Sequence, residues 1–518
     1  MKKLFQNTAA DIPASVVVFL VALPLCLGIA LGSNAPLFSG IIAGIVGGIV
    51  VGLLSGSSLS VSGPAAGLTA VVAVAIGKLP TYEAFLLSVV IAGVIQFLLG
   101  MLRAGIIGDY VPNAVIRGML AAIGIILVLK QLPHLSGYDK DFSGDETFIQ
   151  IDRHNTFSEI IYSLNYLSPG SLAIGLLSIG ILAVWSTKFI KKSKLGQYLP
   201  GPLVVVGLAV IINEWLTRTG SKFAVEDHHM VNLPVATGLH SFAGFFSSPK
   251  WEYISNGQVW ITAITLALVA SLETLLSIEA VDKLDPYNRN TPTNRELKAQ
   301  GIGNLVSGLI GGLPITSVIV RSSANVDAGA KSKLSTIFHG LLILLTVFFI
   351  PGLLNRIPLS ALAAILVVTG YKLAKPSIFR ELFRKGMDQI IPFVVTIVAI
   401  LLTDLLIGIL IGIGVTLFFL LQSNFRSTVM IVHDENKWLL RFRKDVSFLN
   451  KPIVKEGLES IPAASFVLID LTRADFIDKD VIDVINEFMK HASLKNIRVE
   501  IKKSQYKELH QLVSEPVH

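Results

Sequence analysis

The chain has 518 residues and a formal net charge of +7; it is 52% hydrophobic but only 15% charged, with a mean hydropathy of +0.67. Soluble domains carry about a quarter of their residues as Asp, Glu, Lys and Arg, so this composition excludes them and describes an integral membrane protein. The basic excess belongs to cytoplasmic loops rather than to nucleic-acid binding, since no basic stripe interleaved with aromatics occurs, and the single cysteine, Cys26, excludes an intrachain disulfide or a cysteine-built metal site.

Met1-Lys2-Lys3 leads into a full-length apolar span without a small-residue cleavage site, so the first span is expected to be retained. Apolar stretches predict spans at about 12–32, 37–55, 63–77, 84–102, 114–131, 171–188, 201–216, 258–276, 300–313, 317–328, 334–353, 358–371, 388–402 and 404–421. An inside N-terminus puts three basic groups on the cytoplasmic side: Lys188, Lys191, Lys192 and Lys194; Lys283, Arg289, Arg295 and Lys298; and Lys372, Lys375, Arg380, Arg384 and Lys385. The acid-rich stretch Asp139 to Glu159 and the loop Arg218 to Glu252 then face outside, and both termini are cytoplasmic. Arg117 and Lys130 fall near the two ends of the fifth span, where snorkelling accounts for both.

Seven spans followed by seven more require the second copy to be inserted upside down. Traces of duplication are short: Gly-rich second and ninth segments, and Val111-Pro112-Asn113-Ala114-Val115 opening the fifth span against Ile357-Pro358-Leu359-Ser360-Ala361 opening the twelfth. The glycines from Gly40 to Gly52 and Gly301 to Gly312 suit close approach of neighbouring helices.

Two breaks in helical pattern stand at matching places, Leu59-Ser60-Val61-Ser62-Gly63-Pro64-Ala65-Ala66-Gly67 and Leu313-Pro314-Ile315-Thr316-Ser317-Val318-Ile319-Val320-Arg321-Ser322. Irregular backbone survives at membrane depth only where it lines a protein-walled cavity, and paired interruptions point to a transport site. A helix that starts in mid-membrane offers free N–H groups and the positive end of its dipole to an anion. Pro64 suits the first helical turn and Gly63 the approach before it; Ala65, Ala66 and Gly67 frame one wall. Ser317, Val318 and Ile319 bring backbone donors to the other, and Arg321 adds a full charge there or snorkels to an interface. Glu273, alone in an otherwise apolar span, needs a partner: a proton, a sodium ion aided by Ser277 one turn later, or Arg321.

Beyond Gln422 charge rises and spans end, which predicts a separate cytoplasmic domain over 423–518. Phe466-Val467-Leu468-Ile469-Asp470-Leu471 reads as a buried strand, followed by a helix through Val481, Ile485 and Phe488 and a strand from Ile497 to Ile501, a small α/β unit without a catalytic cluster.

Taken together, Ala10-Asp11-Ile12-Pro13-Ala14, Ser62-Gly63-Pro64, Ser271-Leu272-Glu273-Thr274-Leu275-Leu276-Ser277 and Gly312 through Arg321 with Gly329 and Ser335 resemble the SulP anion transporters, the sulfate permeases and their relatives, along essentially the whole chain. The terminal unit resembles their STAS domain. The resemblance implies an α-helical polytopic fold of fourteen segments in a seven-plus-seven inverted repeat, about 1–217 and 258–422, split into a core and a gate domain. It further implies elevator-like movement of a small anion, and a homodimer in the plasma membrane. By position it assigns Ala65 and Ser317 to Ile319 to the anion site, and Glu273 with Ser277 to the acidic position that takes sodium in bicarbonate-carrying relatives. Three places depart from the pattern: Leu23-Pro24-Leu25 lacks the glutamate expected of proton coupling, Asp478-Lys479-Asp480 lacks a phosphorylatable serine pair, and Val318, Ile319 and Val320 make the second wall apolar, leaving more of the binding to backbone N–H groups. The expected function is secondary transport of bicarbonate or sulfate with sodium as co-substrate and no other cofactor. A dicarboxylate or nucleobase carrier, a passive anion channel and a membrane sensor remain open, and no nucleophile and base pairing supports an enzyme.

Overall fold

The computed structural model describes residues 6–139, 148, 155–187, 190, 199–233, 235, 242–504, 506–507 and 512–514. Lys188, Lys191, Lys192 and Lys194 lie outside the described residues, as does most of the stretch from Asp139 to Glu159.

A helix stands at each of the fourteen expected segments. In the first half these are α1 (Thr8–Gly32), α2 (Leu37–Leu54), α3 (Ala66–Lys78), α4 (Tyr82–Met101), α5 (Asn113–Ser136), α6 (Pro169–Trp185) and α7 (Gly201–Arg218). Their successors are α8 (Gly257–Leu284), α9 (Thr293–Leu309), α10 (Ile319–Asp327), α11 (Leu334–Phe349), α12 (Leu359–Leu373), α13 (Met387–Leu402) and α14 (Leu405–Thr428). Among the described residues seven helical stretches are long and apolar enough to cross a membrane alone, counting α12 with the short helix Pro376–Lys385 that follows it as one stretch, Leu359–Lys385. The starts follow from local chemistry: Thr81 accepts from Ala84 N at 3.3 Å to cap α4, Asn256 caps α8 through Gln258 N at 2.9 Å, and Ser168 with Pro169 opens α6.

Packing repeats across the two halves. The contact of α1 with α11 recurs as α8 with α4, α2 with α11 as α9 with α4, α1 with α10 as α8 with α3, and α5 with α13 as α12 with α6. Each pair maps onto its counterpart when seven is added or removed, as an inverted duplication requires. The glycines make these approaches possible. A Cβ on Gly48 would sit 2.5 Å from Gly340 Cα, one on Gly93 2.6 Å from Gly301 O, and Gly124 and Gly370 would each bring a Cβ within 2.5 Å of the other's carbonyl oxygen. Since lipid tails are as apolar as the helices, close backbone packing and polar contacts hold such a bundle together.

Several spans differ from expectation: α5 runs on to Ser136 and α14 to Thr428, and α8 runs to Leu284, so Lys283 belongs to its last turn and not to a loop. Rather than covering 300–313, α9 begins at Thr293, so Arg295 and Lys298 belong to its first turns and not to a loop. Its buried face is polar, with Glu296, Gln300, Asn304 and Ser307 at near-helical spacing, which hid the start from hydropathy. The tenth segment is a nine-residue half-helix, α10, preceded by extended chain.

The chain divides into compact units at 1–413 and 414–518, a division that falls within α14 rather than at 422/423. Composition changes near 423, but the helix runs on to Thr428 and passes straight into a strand. In the second unit β3 (Val429–Asp434) and β4 (Lys437–Phe442) form an antiparallel hairpin, and β5 (Phe466–Asp470) and β6 (Arg498–Lys502) extend it in parallel, in the order β3-β4-β5-β6. Helices α15 (Lys451–Glu459) and α16 (Lys479–Ala492) complete a core that includes Phe442, Val467, Ile469, Val481 and Ile485. The hairpin was absent from the sequence expectation.

Candidate functional site

The two breaks meet. β1 (Ser62–Pro64) and β2 (Ile315–Ser317) pair antiparallel, with Ser62 opposite Ser317, Gly63 opposite Thr316 and Pro64 opposite Ile315. Backbone groups that lipid would leave orphaned are thus satisfied by the other break. A polar clasp from α9 fixes the ladder: Asn304 accepts from Ile315 N at 2.5 Å and donates to Ile315 O at 3.0 Å and to Gln96 at 2.8 Å, while Gln300 donates to Ser62 Oγ at 2.7 Å and to Glu296 at 3.1 Å. Glu296, Gln300 and Asn304 escaped sequence reasoning, although their i, i+4, i+8 spacing was a usable signal.

Beyond the ladder each chain turns into a helix. Ala65 precedes the start of α3 and Val318 that of α10, both extended, and neither helix has a side-chain cap, so the first-turn N–H groups keep no side-chain acceptor. Between these starts lies a cavity of about 20 Å³, room for about one water-sized centre. Ala66, Val318, Val320 and Arg321 line one side; Leu25 and Ile29 of α1, and Ile126, Leu127, Lys130 and Gln131 of α5, line the rest. Ala65, Ser317 and Ile319 lie behind this surface, buried; the Ser317 hydroxyl is held 2.5 Å from Ser60 Oγ and its N–H reaches Thr274 at 3.4 Å.

Arg321 does not snorkel. It is wholly buried, donates from Nη2 to Pro64 O at 3.3 Å, and has no hydrogen-bond acceptor for Nε or Nη1. Gly63 is required by this side chain, because a Cβ there would lie 2.0 Å from Nη1. Cys26 of α1 and the fully buried His339 of α11, neither of whose ring nitrogens has a hydrogen-bond partner, stand within electrostatic reach of the guanidinium. An incompletely paired cation away from water is costly, so the cavity favours an anion.

Glu273 is partly buried, with its carboxylate against the start of α3: a Cβ on Gly67 would lie 3.0 Å from Oε1. Ser277 is buried one turn further along α8, beside the face that carries Thr274 and Ser271. Lys130 corrects the sequence expectation: it is 6% exposed and faces the cavity, since the fifth helix continues to Ser136 and its residue 130 is not terminal. Arg117 is half-exposed and bonded to Glu381 at 2.8 Å.

Comparison with known proteins decides the family. The model of the sulfate permease family matches residues 9–398. The chain belongs to the sulfate permease family. Curated relatives of the chain include the putative sulfate transporter YvdB of Bacillus subtilis, 26% identical over 74% of this chain and 68% of the relative. The bicarbonate transporter BicA of Picosynechococcus is 25% identical over 71% of this chain and 62% of its own length. Among solved structures, murine Solute Carrier 26 family member A9 in the inward-facing state superposes with a TM-score of 0.67 at 16% identity, covering 97% of this chain and 86% of the other. The transmembrane domain of a cyanobacterial BicA gives 0.54 at 22%, over 80% and 98%. Both share the multi-pass helical membrane fold of this chain, which adds a terminal α/β unit, and its relatives are transporters rather than enzymes.

Proposed function

We propose that the protein is a secondary transporter of bicarbonate or sulfate, the two anions named for its relatives. The carrying observation is Arg321, buried with two N–H groups lacking acceptors beside two uncapped helix starts. An oxyanion is larger than this closed cavity; admitted as its walls part, it accepts from the guanidinium and the first-turn N–H groups, and its charge offsets that of the arginine.

The cavity supports an elevator-like movement, since it is lined by the half-helices α3 and α10 on one side and by α1 and α5 on the rest, so that α5 can stay fixed while the half-helices move. Sliding the first group past the second carries the anion between faces. Sodium is proposed as co-substrate at Glu273, whose carboxylate lies beside the start of α3, and Ser277, one turn further along α8, both hard oxygen donors; a bound cation compensates the carboxylate as the anion site fills. A homodimer in the plasma membrane with both termini cytoplasmic, and a STAS-type role for 423–518, complete the proposal, the orientation resting on the positive-inside distribution of Lys372, Lys375, Arg380, Arg384 and Lys385.

Uptake of labelled bicarbonate, sulfate and succinate into proteoliposomes, with and without a sodium gradient, tests this reading. Exchange of internal for external substrate is expected; sustained unitary currents would indicate a channel instead. Glu273→Gln is expected to abolish the sodium response, and uptake that keeps it refutes the coupling.

A further inference from the structure

The second unit holds a cation-lined bowl of about 500 Å³ at the end of α14, apart from the transport site. Thr428, the last residue of α14, lines it and accepts from Arg443 N at 2.8 Å. Three cations surround it: Arg443, Lys444 and Arg473, all exposed. None has a carboxylate partner among the described residues, and the one side-chain contact of Arg443 is to Met430 Sδ at 2.7 Å, a weak acceptor.

Two carboxylates share the bowl but are already engaged. Asp445 accepts from the backbone N–H groups of Asp475 and Phe476 at 2.7 and 2.9 Å, and Asp475 pairs with Lys507 at 2.7 Å. The surplus is positive charge with free donors, two of them guanidinium forks that match phosphate oxygens.

Position selects the ligand. The apolar part of α14 ends at Leu421, and Thr428 of the bowl follows seven residues later, a rise of about 10 Å along the helix, so the bowl is tethered within reach of the headgroup layer. Exposed apolar side chains flank it: Phe448 is 57%, Leu449 40% and Phe476 48% exposed, next in sequence to Ser447, Asn450 and Asp475 of the bowl. Cations beside exposed aromatic and aliphatic groups suit a surface that is charged outside and apolar within.

We propose that this bowl binds the phosphate of an anionic phospholipid headgroup, with Arg443, Lys444 and Arg473 as its donors. The site serves the terminal unit alone and stands whichever anion is transported.

The test uses the full chain in nanodiscs of phosphatidylcholine containing about one fifth phosphatidylglycerol, with retained phosphatidylglycerol counted by native mass spectrometry and affinity taken from a titration of that lipid. Arg443→Ala with Arg473→Ala is expected to remove one tightly held phosphatidylglycerol per chain and weaken binding about thirty-fold, each cation near an anionic surface contributing roughly fivefold. Melting of the double variant in pure phosphatidylcholine discs should match the unsubstituted protein, since both side chains are exposed. Lys444→Gln alone should weaken binding about fivefold. Unchanged phosphatidylglycerol retention in the double variant overturns the proposal. So does protection of the bowl by inorganic phosphate or a nucleotide in pure phosphatidylcholine discs with no added effect of phosphatidylglycerol, which would make the ligand a soluble phosphate.

Discussion

Gly63→Ala isolates the arginine without touching it. A real Cβ essentially never comes within 3.0 Å of a heavy atom, and the one built on Gly63 lies 2.0 Å from Arg321 Nη1, so the guanidinium must retreat by at least 1.0 Å. What has to yield is the far end of a flexible side chain, and β1 keeps its ladder with β2, so the fold should survive. Retreat of that size stretches a charge-assisted hydrogen bond to the anion past its useful range. Such a bond contributes about 1.5–3 kcal/mol, so the apparent KM for anion uptake should rise roughly 10- to 150-fold. Uptake in proteoliposomes gives KM, and gel filtration with a melting curve reports folding. Gly47→Ala provides the contrast, because its Cβ would lie 2.3 Å from Ser62 O, a backbone atom, and should lower folded yield. If Gly63→Ala folds and transports with an unchanged KM, Arg321 does not hold the anion.

Lys130→Met keeps the length of a side chain that faces the cavity but removes its charge; anion affinity should fall about tenfold, equal to about 1.4 kcal/mol, with melting preserved, and unaltered affinity would return Lys130 to a packing role. Gly370→Ala places a Cβ 2.5 Å from Gly124 O, so α5 and α12 must part or strain at about 1–3 kcal/mol; its melting temperature should drop, whereas Gly180→Ala, with nothing within 4 Å, should not. Burial alone would push Asp139 up, yet hydrogen bonds from His134 and His229 and their nearby charge hold its carboxyl below the ordinary 3.8. A depressed carboxyl adds stability that is complete above that value and is lost as pH falls through the folded one. Melting curves should therefore lose stability on acidification below about pH 4, and Asp139→Asn should blunt that loss; an equal acid response in both would refute the assignment.

Much of the membrane fold was legible because hydropathy and punctuation act locally. Ser62-Gly63-Pro64 and Pro314 through Ser317 break the helical pattern, and the breaks fell where the chain leaves the helix. What could not be read was which groups satisfy the freed backbone. The answer is the other break, 253 residues away, a pairing no local rule encodes. Lys130 was misread for a related reason: its distance from an assumed helix end suggested an interface, whereas the helix continues to Ser136 and the residue faces inward. Glu296, Gln300 and Asn304 do not stand out in the sequence because a buried polar face lowers mean hydropathy, the property that marks the other spans.

The register of the ladder also explains why the proposed anion site is lopsided. Gly63 opposite Thr316 is the centre of the pairing, so Ser62 is equivalent to Ile315 and Pro64 to Ser317. Carrying the same offset onward makes Ala65 equivalent to Val318, and these are indeed the residues that precede α3 and α10. Three residues further on, Leu68 stands where the second half has Arg321; both are buried, Leu68 at 1% and Arg321 at 0% exposure. Duplication thus supplied two matching helix starts, whose partial charges alone make a weak, symmetric anion cradle. One position then departs from the repeat and puts a full charge on one side. Glycine at 63, opposite threonine at its symmetry mate 316, leaves the space the guanidinium occupies. The arginine and the missing side chain that admits it are complementary departures from a shared template, one in each half, and that pairing makes the substitution at Gly63 a test of the site rather than of the fold.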